Sequence, residues 1–154
     1  MVLVMAFRRI FAVMIVAACA AILGPGDALA DPAFIENMKK AKADDARAQY
    51  KVGLAYAYGR GAEKNADEAM YWYCKAAVQG NAIAQYNYGY AFHWGKNAPQ
   101  NLKEAAKWFH LSANQGHVAP MYYLATYYQN GSDADGGVPK DLIESYKWLH
   151  VSLE

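Results

Sequence analysis

Cys74, His110 and His150 are side chains that can ligate a metal, and they recur at intervals of 36 and 40 residues. Metal chemistry needs convergence, because zinc holds its ligand atoms within about 2.0 to 2.3 Å of one ion. If the interval reflects helices stacked side by side, equivalent positions stand about 8 to 10 Å apart. The three are therefore expected to be outward or groove-lining residues, with no metal site and no cofactor. Asp133, Asp135 and Glu144 match the first, third and twelfth positions of a calcium-binding loop. Gly137 stands at its fifth position and Val138 replaces the glycine of its sixth, so a flexible acidic loop is the expectation. No Gly-rich phosphate loop, spaced ligand cluster or nucleophile elbow occurs in the sequence, and no catalytic residue is assigned. The remaining chemistry is that of aromatic contact: the chain has 13 tyrosines, and tyrosine and tryptophan give large contact areas at low entropic cost.

The elements that must position these residues are legible because the chain matches itself. Ala48, Gln49, Tyr50, Gly53 and Gly59 recur 36 residues on as Ala84, Gln85, Tyr86, Gly89 and Gly95. Asn65, Glu68, Ala69, Trp72, Ala77, Gln79 and Gly80 recur as Asn101, Glu104, Ala105, Trp108, Ala113, Gln115 and Gly116. A third copy keeps the register at Tyr122, Tyr128 and Gly131, then slips by four residues, so that Glu144, Ser145 and Trp148 answer Glu104, Ala105 and Trp108. The slip is an insertion, placed in a loop around Ser132 to Gly137. Each copy reads as a helix, a Gly-bearing connection and a second helix. Ala69, Trp72, Tyr73, Ala76 and Ala77 form one apolar stripe at helical spacing. Asn65 with Glu68, Asn101 with Glu104 and Asp141 with Glu144 read as reciprocal capping boxes, and Gly80 and Gly116 as left-handed terminators. Gly53 and Gly89 lie inside first helices, where glycine costs about 1 kcal/mol, so a neighbouring ring or backbone must need the space. The last helix lacks an equivalent terminator, and its end is expected to fray or to stack on another copy of the chain.

Residues 1–30 read as an export signal. Arg8 and Arg9 precede the apolar run Ile10 to Leu23, which is too short to span a bilayer comfortably, and Ala28-Leu29-Ala30 is a small-x-small cleavage motif. Cleavage after Ala30 and a periplasmic or secreted destination are expected. An uncleaved anchor, lipidation at Cys19 and the twin-arginine route are the weaker alternatives. Residues 31–45 form an N-terminal capping helix, started by Asp31 and Pro32, whose Phe34, Met38 and Ala41 cover the flank of the first repeat. Setting aside Arg8, Arg9 and Asp27 leaves 13 basic and 13 acidic residues. That balance argues against a nucleic-acid partner, and no membrane contact is expected after cleavage. Cys74 is the sole cysteine after residue 30, so no intramolecular disulfide can form there.

The pattern Ala-Gln-Tyr-x-x-Gly-x-x-Tyr/Phe-x-x-Gly followed by Ala-x-x-Trp-Tyr/Phe-x-x-Ala/Ser-Ala-x-Gln-Gly resembles the Sel-1-like repeat family, related to tetratricopeptide repeats. It departs from that pattern at Ala62 and Ala98, where valine is usual, and at Pro120, where alanine is. The resemblance implies an all-α, right-handed α/α superhelix of three repeats, about 46–81, 82–117 and 118–154. It also implies a non-catalytic scaffold, adaptor or regulator that binds a partner protein, with exported bacterial relatives acting in the periplasm or at the host. Some cysteine-rich relatives are assigned β-lactamase or penicillin-binding activity, which makes a cell-wall or β-lactam enzyme the alternative. Their hallmark cysteine pair in each repeat is absent here. In such a stack the first helices line the concave face. The residues implied to line its groove are Tyr50, Leu54 and Tyr58 in copy one. In copy two they are Tyr86, Tyr90, His93 and Trp94, and in copy three Tyr122, Thr126, Gln129 and Asn130.

Overall fold

The computed structural model describes residues 31–131 and 137–152. The leader expected over 1–30, including Cys19, and Asp133 and Asp135 lie outside the described residues. Among the described residues there are seven helices and no strand. They are α1 (Pro32–Lys42), α2 (Ala46–Tyr58), α3 (Ala66–Val78), α4 (Ala82–Trp94), α5 (Leu102–Ala113), α6 (Val118–Asn130) and α7 (Leu142–Val151). Each helix packs mainly on the helix before it and the helix after it, the contact pattern of a quasi-one-dimensional stack. None is long and apolar enough to cross a membrane.

The helix starts follow the expected caps, with one correction. Asn65 accepts from the backbone N–H groups of Asp67 and Glu68, Asn101 from Glu104, and Asp141 from Ile143 and Glu144. The reciprocal half of the capping box is not made. The N–H groups of Asn65, Asn101 and Asp141 donate instead to the carbonyls of Tyr56, Phe92 and Tyr128, at 3.0, 2.9 and 2.8 Å. Those carbonyls belong to the last turn of the preceding helix and have no partner within it, so one bond closes the hairpin and satisfies both ends. The glutamates are thereby released to hold the indoles: Trp72 Nε1 donates to Glu68 at 3.0 Å and Trp108 Nε1 to Glu104 at 3.2 Å. Gly80 and Gly116 take the left-handed conformation expected of helix terminators, at φ 89° and 83°.

The small residues of the stripe let the helices approach while aromatics fill the gaps. Ala69, Trp72, Tyr73, Ala76 and Ala77 are all buried, as are Ala105, Phe109, Ser112 and Ala113. A Cβ on Gly53 would stand 2.7 Å from the ring of Tyr73, and one on Gly89 would stand 3.0 Å from that of Phe109. The space foreseen at these glycines is thus taken by the aromatic that follows tryptophan in the next helix. Phe34 and Met38 of α1 pack against Ala48, Val52 and Trp72. Buried glutamines tie successive hairpins together: Gln49 Nε2 donates to Ala41 O and Gln85 Nε2 to Ala77 O, both at 3.1 Å. Gln79 and Gln115 each hold the other end of that amide, at 2.7 and 2.8 Å.

Copy three departs from this scheme in four linked places. Met121 replaces the buried glutamine. Pro120 stands in the first turn of α6, where a missing N–H costs no helical bond. The matching Ala48 and Ala84 N–H groups receive the Asp45 and Asn81 caps, whereas His117 makes no side-chain cap bond. Its Nδ1 meets Ser112 Oγ at 2.9 Å instead. Glu144 engages Lys147 as Glu104 engages Lys107, but it does not hold the indole, and the buried Trp148 Nε1 has no hydrogen-bond partner among the described residues.

Candidate functional site

The first helices α2, α4 and α6 carry one face of the stack, and their tyrosines divide between its surface and its seams. Tyr58 is 65% exposed, with the Arg60 guanidinium 5.2 Å above its ring, and Trp94, the equivalent residue of copy two, is 54% exposed. Beside Tyr58 opens a cleft of about 310 Å³ where α2, the first turns of α3, and α4 converge. Its apolar wall is made by Tyr58, Met70, Tyr73 and Tyr90. Asn87 and Asn97 supply amides, and Lys64 and Lys96 supply charge. Tyr73 is buried to 8% exposure, which raises its hydroxyl pKa above the ordinary tyrosine value and keeps it a neutral donor. Tyr50 stacks obliquely on Tyr73 with centroids 6.1 Å apart and hydrogen-bonds to Asn87, so it supports the cleft from behind.

The other expected groove residues are placed differently. Leu54 faces a separate depression between α1 and α2, beside Phe34, Asn37 and Lys51. Tyr86 and His93 belong to the seam between copies two and three: Tyr86 meets Phe109, His117 and Tyr123, and His93 Nδ1 shares a 2.6 Å hydrogen bond with the Tyr127 hydroxyl. Burial pushes the Tyr86 hydroxyl up to about 12. Tyr90 serves both places, lining the cleft and meeting Tyr123 edge-on at 6.1 Å. Tyr122 is 65% exposed, Thr126 Oγ1 bonds to the Tyr122 carbonyl within its own helix, and Gln129 and Asn130 are exposed. The structure therefore brings Tyr58, Tyr90 and, beside them, Trp94 together, and leaves the copy-three residues outside this cleft.

The recurring Cys74, His110 and His150 do not converge, and among the described residues no three His, Cys, Asp or Glu side chains could hold a metal ion. The expectation that all three are outward or groove-lining needs correction at His110. It is half-buried between Tyr128, whose hydroxyl is 2.9 Å from Nε2, and Trp148. Met70, Tyr73, Asn87 and the two lysines of the cleft were not foreseen. Tyr73 stands on the apolar stripe of its helix, which gives no sign of a cleft, and the lysines sit in connections, where helical spacing carries no facing information.

Tandem helical hairpins, each stacked on the next, with an open aromatic cleft on the first-helix layer, define an α/α repeat solenoid. Three segments, 46–81, 82–117 and 121–152, match the Sel1 repeat, and the chain belongs to that family. It is similar to the Sel1 repeat protein of Oxalobacter formigenes, at 29% identity over 80% of this chain and 49% of that one, with a TM-score of 0.72. It is also similar to c5321, a protective antigen present in uropathogenic Escherichia coli strains that displays an SLR fold. That match has 25% identity over 91% of this chain and 29% of that one, again with a TM-score of 0.72. The chain thus spans about half the length of the first structure and under a third of the second. No curated relative matches the sequence.

Proposed function

We propose that this chain is an exported, non-catalytic interaction module that binds a segment of a partner protein on the concave, first-helix face. The observation that carries the reading is the pair Tyr58 and Trp94, large aromatics left exposed at equivalent positions of successive first helices, the first of them lining an open cleft. A packed core would bury such rings, whereas exposed aromatics beside a pocket are the usual anchors of protein interfaces. Tyr90 links the cleft to Trp94, with ring centroids 6.1 Å apart. The Sel1 repeat family acts mainly as interaction scaffolds, and that supports the same reading. Tyr122, Thr126, Gln129 and Asn130 extend the face along copy three.

Crosslinking capture from an envelope extract, with the chain as bait, tests it. The Tyr90→Ala, Trp94→Ala double variant is expected to lose the captured partner while its helical circular dichroism signal remains. Capture that survives in a folded double variant removes the face from the interaction. Export is tested by mass measurement on the protein from the periplasm or medium, which is expected to begin at Asp31. A mass retaining residues 1–30, or an acyl group on Cys19, contradicts processing after Ala30. Turnover of a chromogenic β-lactam by the purified chain would overturn the non-catalytic assignment.

A further inference from the structure

We propose that the segment bound on the first-helix face is acidic, with one apolar side chain seated in the Tyr58–Tyr90 cleft and carboxylates on its flanks pairing with Lys64 and Lys96. This deepens the interaction reading and rests on it. The cleft's volume, about 310 Å³, is at the lower end of the range of small-molecule sites, about 300 to 1,000 Å³. It suits one or two side chains better than a cofactor. Tyr58, Met70, Tyr73 and Tyr90 give it an apolar wall, and its two charged lining residues are both cationic.

The cation-only lining is local. Beyond residue 30 the chain carries as many acidic as basic residues, so an excess of positive charge at the cleft is an arrangement and not a background. Three lysines are matched on their own helices, Lys40 with Glu36, Lys107 with Glu104 and Lys147 with Glu144, and the other described lysines are in no ion pair; what sets the cleft apart is that its charged lining is cationic alone. Lys64 and Lys96 are exposed and are in no ion pair among the described residues. Arg60, seated over Tyr58, adds a third cation at the edge. A basic partner would meet like charge from all three, and a neutral one would leave them unused. Carboxylates on both sides of an apolar residue satisfy the wall and the edge together. The neutral Tyr73 hydroxyl is available to donate to a carbonyl or carboxylate entering the cleft.

Synthetic peptides carrying one leucine flanked on both sides by glutamate, by serine or by lysine, titrated against the full chain by fluorescence anisotropy, test the assignment. The glutamate series is expected to bind about tenfold more tightly than the serine series, with the gap closing as salt screens the exposed pairs. The lysine series is expected to show no binding. Lys64→Glu with Lys96→Glu, which touches no packed residue, should reverse the preference. Equal binding of glutamate and serine series, or an acidic preference that survives the charge reversal, overturns the proposal. So does binding of an anionic polysaccharide in place of any peptide, or no binding of any probe. The two readings separate in partner capture. Loss with Tyr90→Ala, Trp94→Ala but not with the lysine reversal keeps the interacting face and rejects the acidic segment. Capture unaffected by either variant rejects both.

Discussion

Gly53 sits in the middle of α2, where alanine would improve helix propensity by about 1 kcal/mol, yet the Tyr73 ring occupies the place a methyl group would need. A Cβ there falls 2.7 Å from Cδ1 and 2.8 Å from Cε1. Both atoms belong to a buried ring, which must shift against the cleft wall, and overpacking of that kind costs about 1 to 3 kcal/mol. Gly53→Ala is thus expected to lower the urea midpoint despite the propensity gain; an unchanged or raised midpoint would show that Tyr73 yields freely. That a neighbour needed this space was legible in the sequence, because glycine inside a regular helical pattern has few other causes. Which ring filled it was not, since Tyr73 is 20 residues away and the pairing exists only once the hairpin closes.

At the scale of helices, the seam between copies two and three differs chemically from the seam before it. Three half-buried histidines stand there: His93 against Tyr127, Tyr123 and Phe109, His110 between Tyr128 and Trp148, and His117 against Tyr86 and Ser112. The matching positions of copy one are Ala57, Cys74 and Asn81. Burial lowers the pKa of all three from the ordinary 6.5, and for His110 the nearby Glu144 carboxylate opposes part of that shift. The unfolded chain therefore binds protons near pH 6.5 that the folded seam refuses. Their stabilising contribution is complete above 6.5 and is lost as pH falls through the depressed values. The melting temperature is expected to drop between pH 7 and pH 5, and His93→Gln with His117→Asn to flatten the drop. A drop of equal size in that variant would assign it to other groups. Buried glutamines make a second prediction at this scale. Gln85→Leu removes two hydrogen bonds, to the Ala77 carbonyl and from the Gln115 amide, which keep only their bonds to the Gly80 N–H and the Leu111 carbonyl. At about 0.5 to 1.5 kcal/mol for each lost bond it is expected to cost about 1 to 3 kcal/mol in chemical denaturation, whereas Met121 already fills that position without an amide. The helical period placed Tyr86, Tyr90 and His93 together on one face but could not say whether a neighbouring repeat or solvent covered it. That depends on α6, whose Tyr123 and Tyr127 reach into the seam, and the groove residues were for that reason only partly legible.

Across the whole molecule, each hairpin is held by its neighbours, so stability is a sum of local interfaces and need not be lost all at once. The interior hairpin of α4 and α5 has a neighbour on both sides, buried glutamine ties and a complete cap at each start. Copy three lacks the glutamine tie, has no side-chain cap on α6 and leaves the Trp148 indole N–H without a hydrogen-bond partner among the described residues. The helix α7 packs chiefly on α6 and presents Leu142, Ile143, Tyr146 and Leu149 to solvent, with Tyr146 68% exposed. At the equivalent positions of α5, Ala106 and Phe109 are buried. The missing ties and the most exposed large apolar side chains thus coincide in the last hairpin, which should open below the global unfolding free energy. Native-state hydrogen exchange is expected to be fastest in α7, slower in α6 and slowest from α3 to α5, with α1 slowed by its contacts to Val52 and Trp72. Uniform protection across α3 to α7 would mean that the array unfolds as one unit, and that the aromatic seam of Tyr86, Phe109 and Tyr123 outweighs the three missing ties.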